Sequence, residues 1–412
     1  MKKHFFLTLG LLMMTSVMFT SCGGKKKNND TASSDLEKQK IYGFFTGEND
    51  FKKRKPITVK ELLKAEPLTD ADFKVVFTKD KKGVIITDFI GKDFIDKKTP
   101  RTCYVIPATI QGFPVVGIKS LGQMTCHGGT FSKRYPSAIL IPEGVRYIAG
   151  LSSGVSECYT LILPSTLEVL FNDGIYNFGR LGFGTYTSCE LPPNLKIISQ
   201  SIFDGSAGPI TKVTIPPSVK FIADGAFRGT TFHTLNHPGP LREISLPEGL
   251  LYIGSSAFEN TRISNLTIPK SVKWIGAQAF WDCDNLSEIN WSDDWTVCAS
   301  SLIGIVDDYF GYYKDWGVDC SYHDGGNHGI DEFEKSLAYF FSCGEKSKIA
   351  QSLAFQEKLK DTKIIENKVQ EIWNCREMLN NELNSCLKEF ATDLGFDNEK
   401  YQFIKQQFFY DL

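Results

Sequence analysis

Apolar residues recur through the middle of this chain in columns set by proline. Pro107, Pro142, Pro164, Pro192, Pro216, Pro247 and Pro269 are separated by 35, 22, 28, 24, 31 and 22 residues. The shortest interval occurs twice, so the unit is about 22 residues, with inserted loops in the longer copies. One residue before each proline stand Ile106, Ile141, Leu163, Leu191, Ile215, Leu246 and Ile268, and three before stand Tyr104, Ile139, Leu161, Cys189, Val213, Ile244 and Leu266. This alternation puts both columns on one face of a short strand. Proline has no N–H and ends the ladder there. Three residues after it, Ile110, Val145, Leu167, Leu195, Val219, Leu250 and Val272 begin a second apolar column. Six after it, from the second copy on, stand Ile148, Leu170, Ile198, Ile222, Ile253 and Ile275. Ala226-Phe227, Ala257-Phe258 and Ala279-Phe280 close the best copies, and a degenerate eighth begins near Leu286. No 22-residue coil can bury its own apolar face, so the pattern predicts coils stacked in register around one continuous core.

The array needs caps, because its end coils expose apolar edges. Residues 73–90 hold two β-rich runs around Lys79-Asp80-Lys81-Lys82-Gly83, which predicts a hairpin cap at the N-terminal end. Upstream, a small helical element is expected around Val59 to Ala65. Past the array, residues 307–329 are aromatic and then glycine-rich, a transition loop. Beyond them Ile365, Val369, Ile372, Arg376, Leu379, Leu383, Cys386 and Phe390 alternate at four and three residues. That seven-residue repeat predicts a helix over 363–392. Gly395 suits its stop, and Asp397 suits the cap of a last helix carrying Tyr401, Ile404 and Phe408. These helices either cover the last coil or form a coiled coil with a partner.

The first residues stand apart from this pattern. Lys2 and Lys3 precede an apolar run from Phe5 to Phe19, and Thr20-Ser21 lead into Cys22. The layout is that of a secretory signal, and its small-small-Cys ending resembles a bacterial lipoprotein signal, which implies lipidation of Cys22. No later segment approaches the ~18 apolar residues of a membrane span. The expected organisation is a lipoprotein signal peptide at 1–21, a flexible tether at 22–40, an N-terminal region and cap at 41–103, the repeats at 104–305, the transition loop at 306–330 and a helical domain at 331–412. The 412 residues are 42% hydrophobic and 23% charged, enough for a core. A net charge of −2 without a basic block argues against nucleic-acid binding. The eleven cysteines are scattered without metal-type spacing, and most read as small buried hydrophobes.

The stretches ISLPEGLLYIGSSAF at 244–258 and LTIPKSVKWIGAQAF at 266–280 resemble the BspA-type leucine-rich repeat, and YVIPATIQGFPVVGI at 104–118 resembles the first repeat of such arrays. The resemblance covers roughly residues 72–300. It implies a mainly β fold: a right-handed leucine-rich-repeat solenoid of about 7–8 short coils, with a β-hairpin cap before it and the α-helical domain after it. Members of this family are surface antigens and adhesins that bind host or partner proteins, so the resemblance implies a protein partner.

Candidate chemistry is sparse. The chain has no HExxH, P-loop, GxSxG or dinucleotide fingerprint, so no catalytic residue and no cofactor is expected. His233 and His237 are followed by Pro238-Gly239-Pro240, which favours a loop over a helical metal pair. His323, Asp324, His328 and Asp331 could hold a divalent ion, but match no metal motif, and a solvated turn is the expectation. More distinctive is the column five residues after the proline, with Tyr147, Val169, Ile197, Phe221, Tyr252 and Trp274. It neighbours an inward column, so Tyr147, Phe221, Tyr252 and Trp274 are expected on the surface as the candidate binding surface, unless the C-terminal helices or inserted loops cover them. The resulting expectation is a lipid-anchored cell-envelope protein, on the periplasmic or surface face of the outer membrane, binding a protein partner. Alternatives are a structural subunit of an outer-membrane complex and, remotely, a metal-dependent hydrolase. Thin stacked coils offer little room for a pocket of convergent polar groups, so no small-molecule ligand is expected.

Overall fold

The computed structural model describes residues 40–45, 59–91, 103–121, 138–149, 160–171, 187–199, 202–203, 210–229, 239–276, 279–280, 283–290, 369–409 and 412. Cys22, the signal and tether, the transition loop, His233, His237 and the 323–331 cluster lie outside them. The described part is mainly β with few helices, and its elements belong to one compact unit, Ile41–Leu412.

The chain enters this unit through strand β1 (Tyr42–Phe45) and a short helix, α1 (Val59–Leu63). Next come β2 (Phe73–Phe77) and β3 (Val84–Phe89), an antiparallel hairpin around the lysine-rich turn. The first repeat contributes β4 (Cys103–Val105), β5 (Thr109–Ile110) and β6 (Phe113–Ile118). Gln111 and Gly112 join β5 to β6 with φ of 53° and 79°, a two-residue turn with both central residues left-handed.

Each later coil repeats one design: a strand that stops before the proline and a two-residue strand after it. The pairs are β7 (Ala138–Leu140) with β8 (Tyr147–Ile148), β9 (Thr160–Leu163) with β10 (Val169–Leu170), and β11 (Ser188–Glu190) with β12 (Ile197–Ile198). They continue as β13 (Lys212–Thr214) with β14 (Phe221–Ile222), β15 (Glu243–Ser245) with β16 (Tyr252–Ile253), and β17 (Asn265–Thr267) with β18 (Trp274–Ile275). A further strand, β19 (Glu288–Asn290), lies parallel to β17 in the degenerate eighth copy. Coils 1 to 7 are numbered below by their prolines.

The proline has a second role. In coils 2 to 7 its carbonyl accepts the N–H of the residue three later, at 3.0 to 3.4 Å, closing a turn between the two strands. The post-proline strands then pair in parallel, in strict register, from β6 through β8, β10, β12, β14 and β16 to β18, and the cap hairpin extends this sheet through β3. Stacking brings identical positions together. The N–H of Lys196, four after its proline, donates to Glu168 O of the coil before, and Lys220 N–H donates to Lys196 O. Hydroxyls two after the proline do the same from the side chain: Thr166 to Val145 O, Ser218 to Leu195 O and Ser271 to Leu250 O, at 2.7 to 2.9 Å. The Ala-Phe positions form a ladder of parallel rings, Phe227–Phe258–Phe280, with centroids 5.1 and 5.5 Å apart. Phe203 of coil 4 extends it at 4.7 Å although Ile202 replaces the alanine.

Two helices follow: α2 (Val369–Asp393) and α3 (Asn398–Phe408). Gly395, at φ 65°, turns the chain between them, and Asp397 O accepts the Tyr401 N–H at the start of α3. Tyr401 Oη donates to Asn384 Oδ1 at 2.6 Å and Lys405 Nζ donates to Asn380 Oδ1, which ties α3 back onto α2. Lys405 is buried, and that burial lowers its pKa.

Candidate interaction surface

The aromatic column is not at the surface. Tyr147, Phe221, Tyr252 and Trp274 are each 1% exposed or less, and Val169 and Ile197 between them are equally buried. This corrects the expectation of a free binding surface. In a two-residue strand one side chain enters the coil stack and the next points away from it. The inward residue is the isoleucine or leucine six after the proline. The outward one is the aromatic column, and α2 and α3 pack over it. Phe390 of α2 meets Tyr147 edge-on at 5.9 Å and Phe171 at 5.6 Å. Phe409, just past α3, meets Phe221 at 6.0 Å and Tyr252 at 5.8 Å, both edge-on.

The predicted heptad therefore faces a sheet. Leu379, Leu383, Cys386 and Phe390 are buried as the spacing requires, and Leu387, Ala391 and Leu394 widen the stripe. Helix and ladder are commensurate. Cys375, Glu382 and Glu389 stand seven apart, and each meets the column four after a proline: Cys375 Sγ lies 3.6 Å from Lys273 O in coil 7, Glu382 takes Lys220 of coil 5 at 2.8 Å, and Glu389 takes Arg146 of coil 2 at 2.6 Å. Fourteen helical residues rise about 21 Å, against about 24 Å for five coil spacings. The helix thus crosses the strands and runs back along the array.

A charge network lines the edge of this contact. Arg146 and Lys196 both pair with Glu168, and Glu389 accepts from Arg146 and from Tyr147 Oη, the latter at 3.1 Å. Burial draws Glu168 upward, but the hydrogen bonds from Arg146 and Lys196 outweigh it and hold its carboxyl below the ordinary range. Hydrogen bonds from Arg146 and Tyr147 do the same for Glu389. Burial pushes the Tyr147 phenol up, and pushes the Cys375 thiol up to about 11. No group of three or more metal-ligating side chains occurs among the described residues.

What the helices leave open lies on the strands before the proline. In coils 1 to 3 the outward positions of those strands are themselves covered: Leu62 of α1 sits in a small apolar cluster with Val105, Ala138 and Ile162. In coils 4 to 7 the equivalent positions are exposed and polar: Ser188 and Glu190, Lys212 and Thr214, Glu243 and Ser245, Asn265 and Thr267. Lys212 and Glu243 pair across two coils at 2.8 Å, both solvent-exposed.

The sequence profile described as "BspA type Leucine rich repeat region" matches residues 175–245 and 239–303, with six copies. The chain carries BspA-type leucine-rich repeats. Proteins built on such repeats typically serve as protein-binding scaffolds. Three solved structures are similar to the repeat region: a leucine-rich repeat protein of T. pallidum, one of Bacteroides ovatus ATCC 8483 and a leucine-rich cell surface protein of Faecalibacterium prausnitzii A2-165. Sequence identities are 22%, 21% and 21%, and TM-scores 0.33, 0.37 and 0.33. The alignments cover 55%, 54% and 54% of this chain and 82%, 52% and 54% of the others, so it spans about half the length of the second and third. No curated protein sequence matches the chain.

Proposed function

We propose that this chain is a lipid-anchored cell-envelope protein, held at Cys22, whose BspA-type repeats form a right-handed solenoid that binds a protein partner. The observation that carries this reading is the polar strip on coils 4 to 7. Helices cover the outward side of the post-proline sheet, and α1 covers coils 1 to 3 on the other side. Repeated strands there present a stepped row of polar and charged side chains, the form of surface on which stacked repeats engage other proteins. Catalysis is not part of this reading, because the sequence carries no HExxH, P-loop, GxSxG or dinucleotide fingerprint.

The test is capture of envelope proteins by residues 22–412 bearing Cys22→Ser, compared with the same chain carrying Thr214→Arg and Thr267→Arg. Both arginines lie on exposed strand positions, so thermal stability should be unchanged while a specific partner is lost. A partner retained undiminished by the double variant would remove the strip from the interface. Separately, labelled palmitate should enter the wild-type protein in cells and not the Cys22→Ser protein.

A further inference from the structure

The coils do not stack uniformly. On the post-proline side, β10 of coil 3 pairs directly with β12 of coil 4. On the other side β9 and β11, from the same two coils, do not pair, and β1 lies between them, antiparallel to both. Phe44 stands opposite Leu161 on one side and Cys189 on the other, both members of the inward column three before the proline. It is 1% exposed, and its ring lies 5.7 Å from Phe203, where the phenylalanine ladder runs out toward coil 3. The inserted strand thus supplies the core residue of a coil that the repeats lack.

The fit is specific. Gly43 has φ of 143°, and a Cβ there would lie 1.8 Å from Leu161 O, so only glycine is accepted beside Phe44. Tyr42 and Phe45 flank the pair half-buried, and Phe45 O accepts the Thr187 N–H at 2.8 Å. The occupant is an extended aromatic–Gly–aromatic–aromatic segment held by backbone pairing, the mode of strand addition.

We propose that the break between coils 3 and 4 is a strand-acceptor site, and that besides the chain's own Tyr42–Phe45 it takes the same segment from a second copy. Three observations support exchange. The strand is the first element of the compact unit, and only two of its four residues are buried. Its pairing is antiparallel to the coils, so continuity with the repeat chain plays no part in its placement. Thirteen residues join Phe45 to Val59, yet both pack against one small cluster; that length spans up to about 45 Å when extended, ample for a neighbouring copy. Reciprocal exchange closes a symmetric dimer. The site adjoins the polar strip at β11, where Ser188 and Glu190 stand opposite Phe45 and Gly43, but it stands whether or not the rest of that strip binds a partner.

Two differently tagged preparations of residues 22–412 with Cys22→Ser, mixed at high concentration and incubated, test this. Capture through one tag should bring down the other, and an excess of a peptide of residues 40–46 should reduce that co-capture at least tenfold. The same peptide with Gly43→Val should have no effect, which separates strand addition from general stickiness without requiring any variant of the whole chain to fold. Failure of the tags to co-capture, or co-capture indifferent to the wild-type peptide, would overturn the proposal, as would peptide binding to the protein without dimer formation.

Discussion

Phe409→Ala isolates the contact that hides the aromatic column. Phe409 is fully buried and meets Phe221 and Tyr252 edge-on. Truncating a buried phenylalanine costs about 3–5 kcal/mol, counting lost transfer energy and the cavity left behind, and each edge-on pair contributes about 0.5–1.5 kcal/mol within that figure. The ion pairs at the rim are weaker: Glu389 is 66% exposed and Glu382 40% exposed, so each contributes under about 1 kcal/mol. Apolar burial therefore holds the helices down, and the charges set their register. Hydrogen exchange read by mass spectrometry suits this contrast. If the helices open as a unit, Phe409→Ala should speed exchange across 369–408 by about two to three and a half orders of magnitude, since about 1.4 kcal/mol is tenfold. Glu389→Gln should speed it less than about tenfold. Unchanged protection of α2, α3 and the strands at 221–222 and 252–253 in Phe409→Ala would show that the ring does not seal the column.

Trp274→Ala should lower unfolding stability by about 3–5 kcal/mol, read from denaturant midpoints by circular dichroism; a loss under about 1 kcal/mol would put the indole back at the surface. Acid should loosen the helices through the rim. Glu168 and Glu389 have depressed folded-state pKa values, so their stabilisation is present above the ordinary value of 4.5 and is lost as pH falls below it toward the folded values. Protection of residues 375–391 should decline over that range, and a profile flat down to pH 3 would contradict the network. Cys375, pushed up to about 11 by burial, and Cys386, raised for the same reason, should resist iodoacetamide at pH 8 and react in Phe409→Ala, as mapped by peptide mass spectrometry.

Much of the array was legible because it is local and repeated. One proline per coil marks where the strand stops, and columns at fixed offsets mark what faces the core. Ile148, Leu170, Ile198, Ile222, Ile253 and Ile275 are all buried where that offset places them. The hairpin at 73–89 and the helices after Val369 follow from equally local signals, alternation and a seven-residue repeat. The hydroxyls at Thr166, Ser218 and Ser271 were a readable signal too: a small hydroxyl residue two after the proline, in register, becomes a side-chain bond between coils.

By itself, then, the sequence determined the period, the turn and the inward columns, since each depends on residues within one coil and its copy next door. Tertiary structure alone decided what covers the outward column. Phe221 reads the same whether water or Phe409 lies against it, and Phe409 is 188 residues away. It also decided the place of Tyr42–Phe45, four residues with no period of their own, whose register comes from Leu161 and Cys189 more than a hundred residues along the chain. Periodicity reports which side of a strand is apolar; only the folded chain brings the distant segment that makes that side an interior.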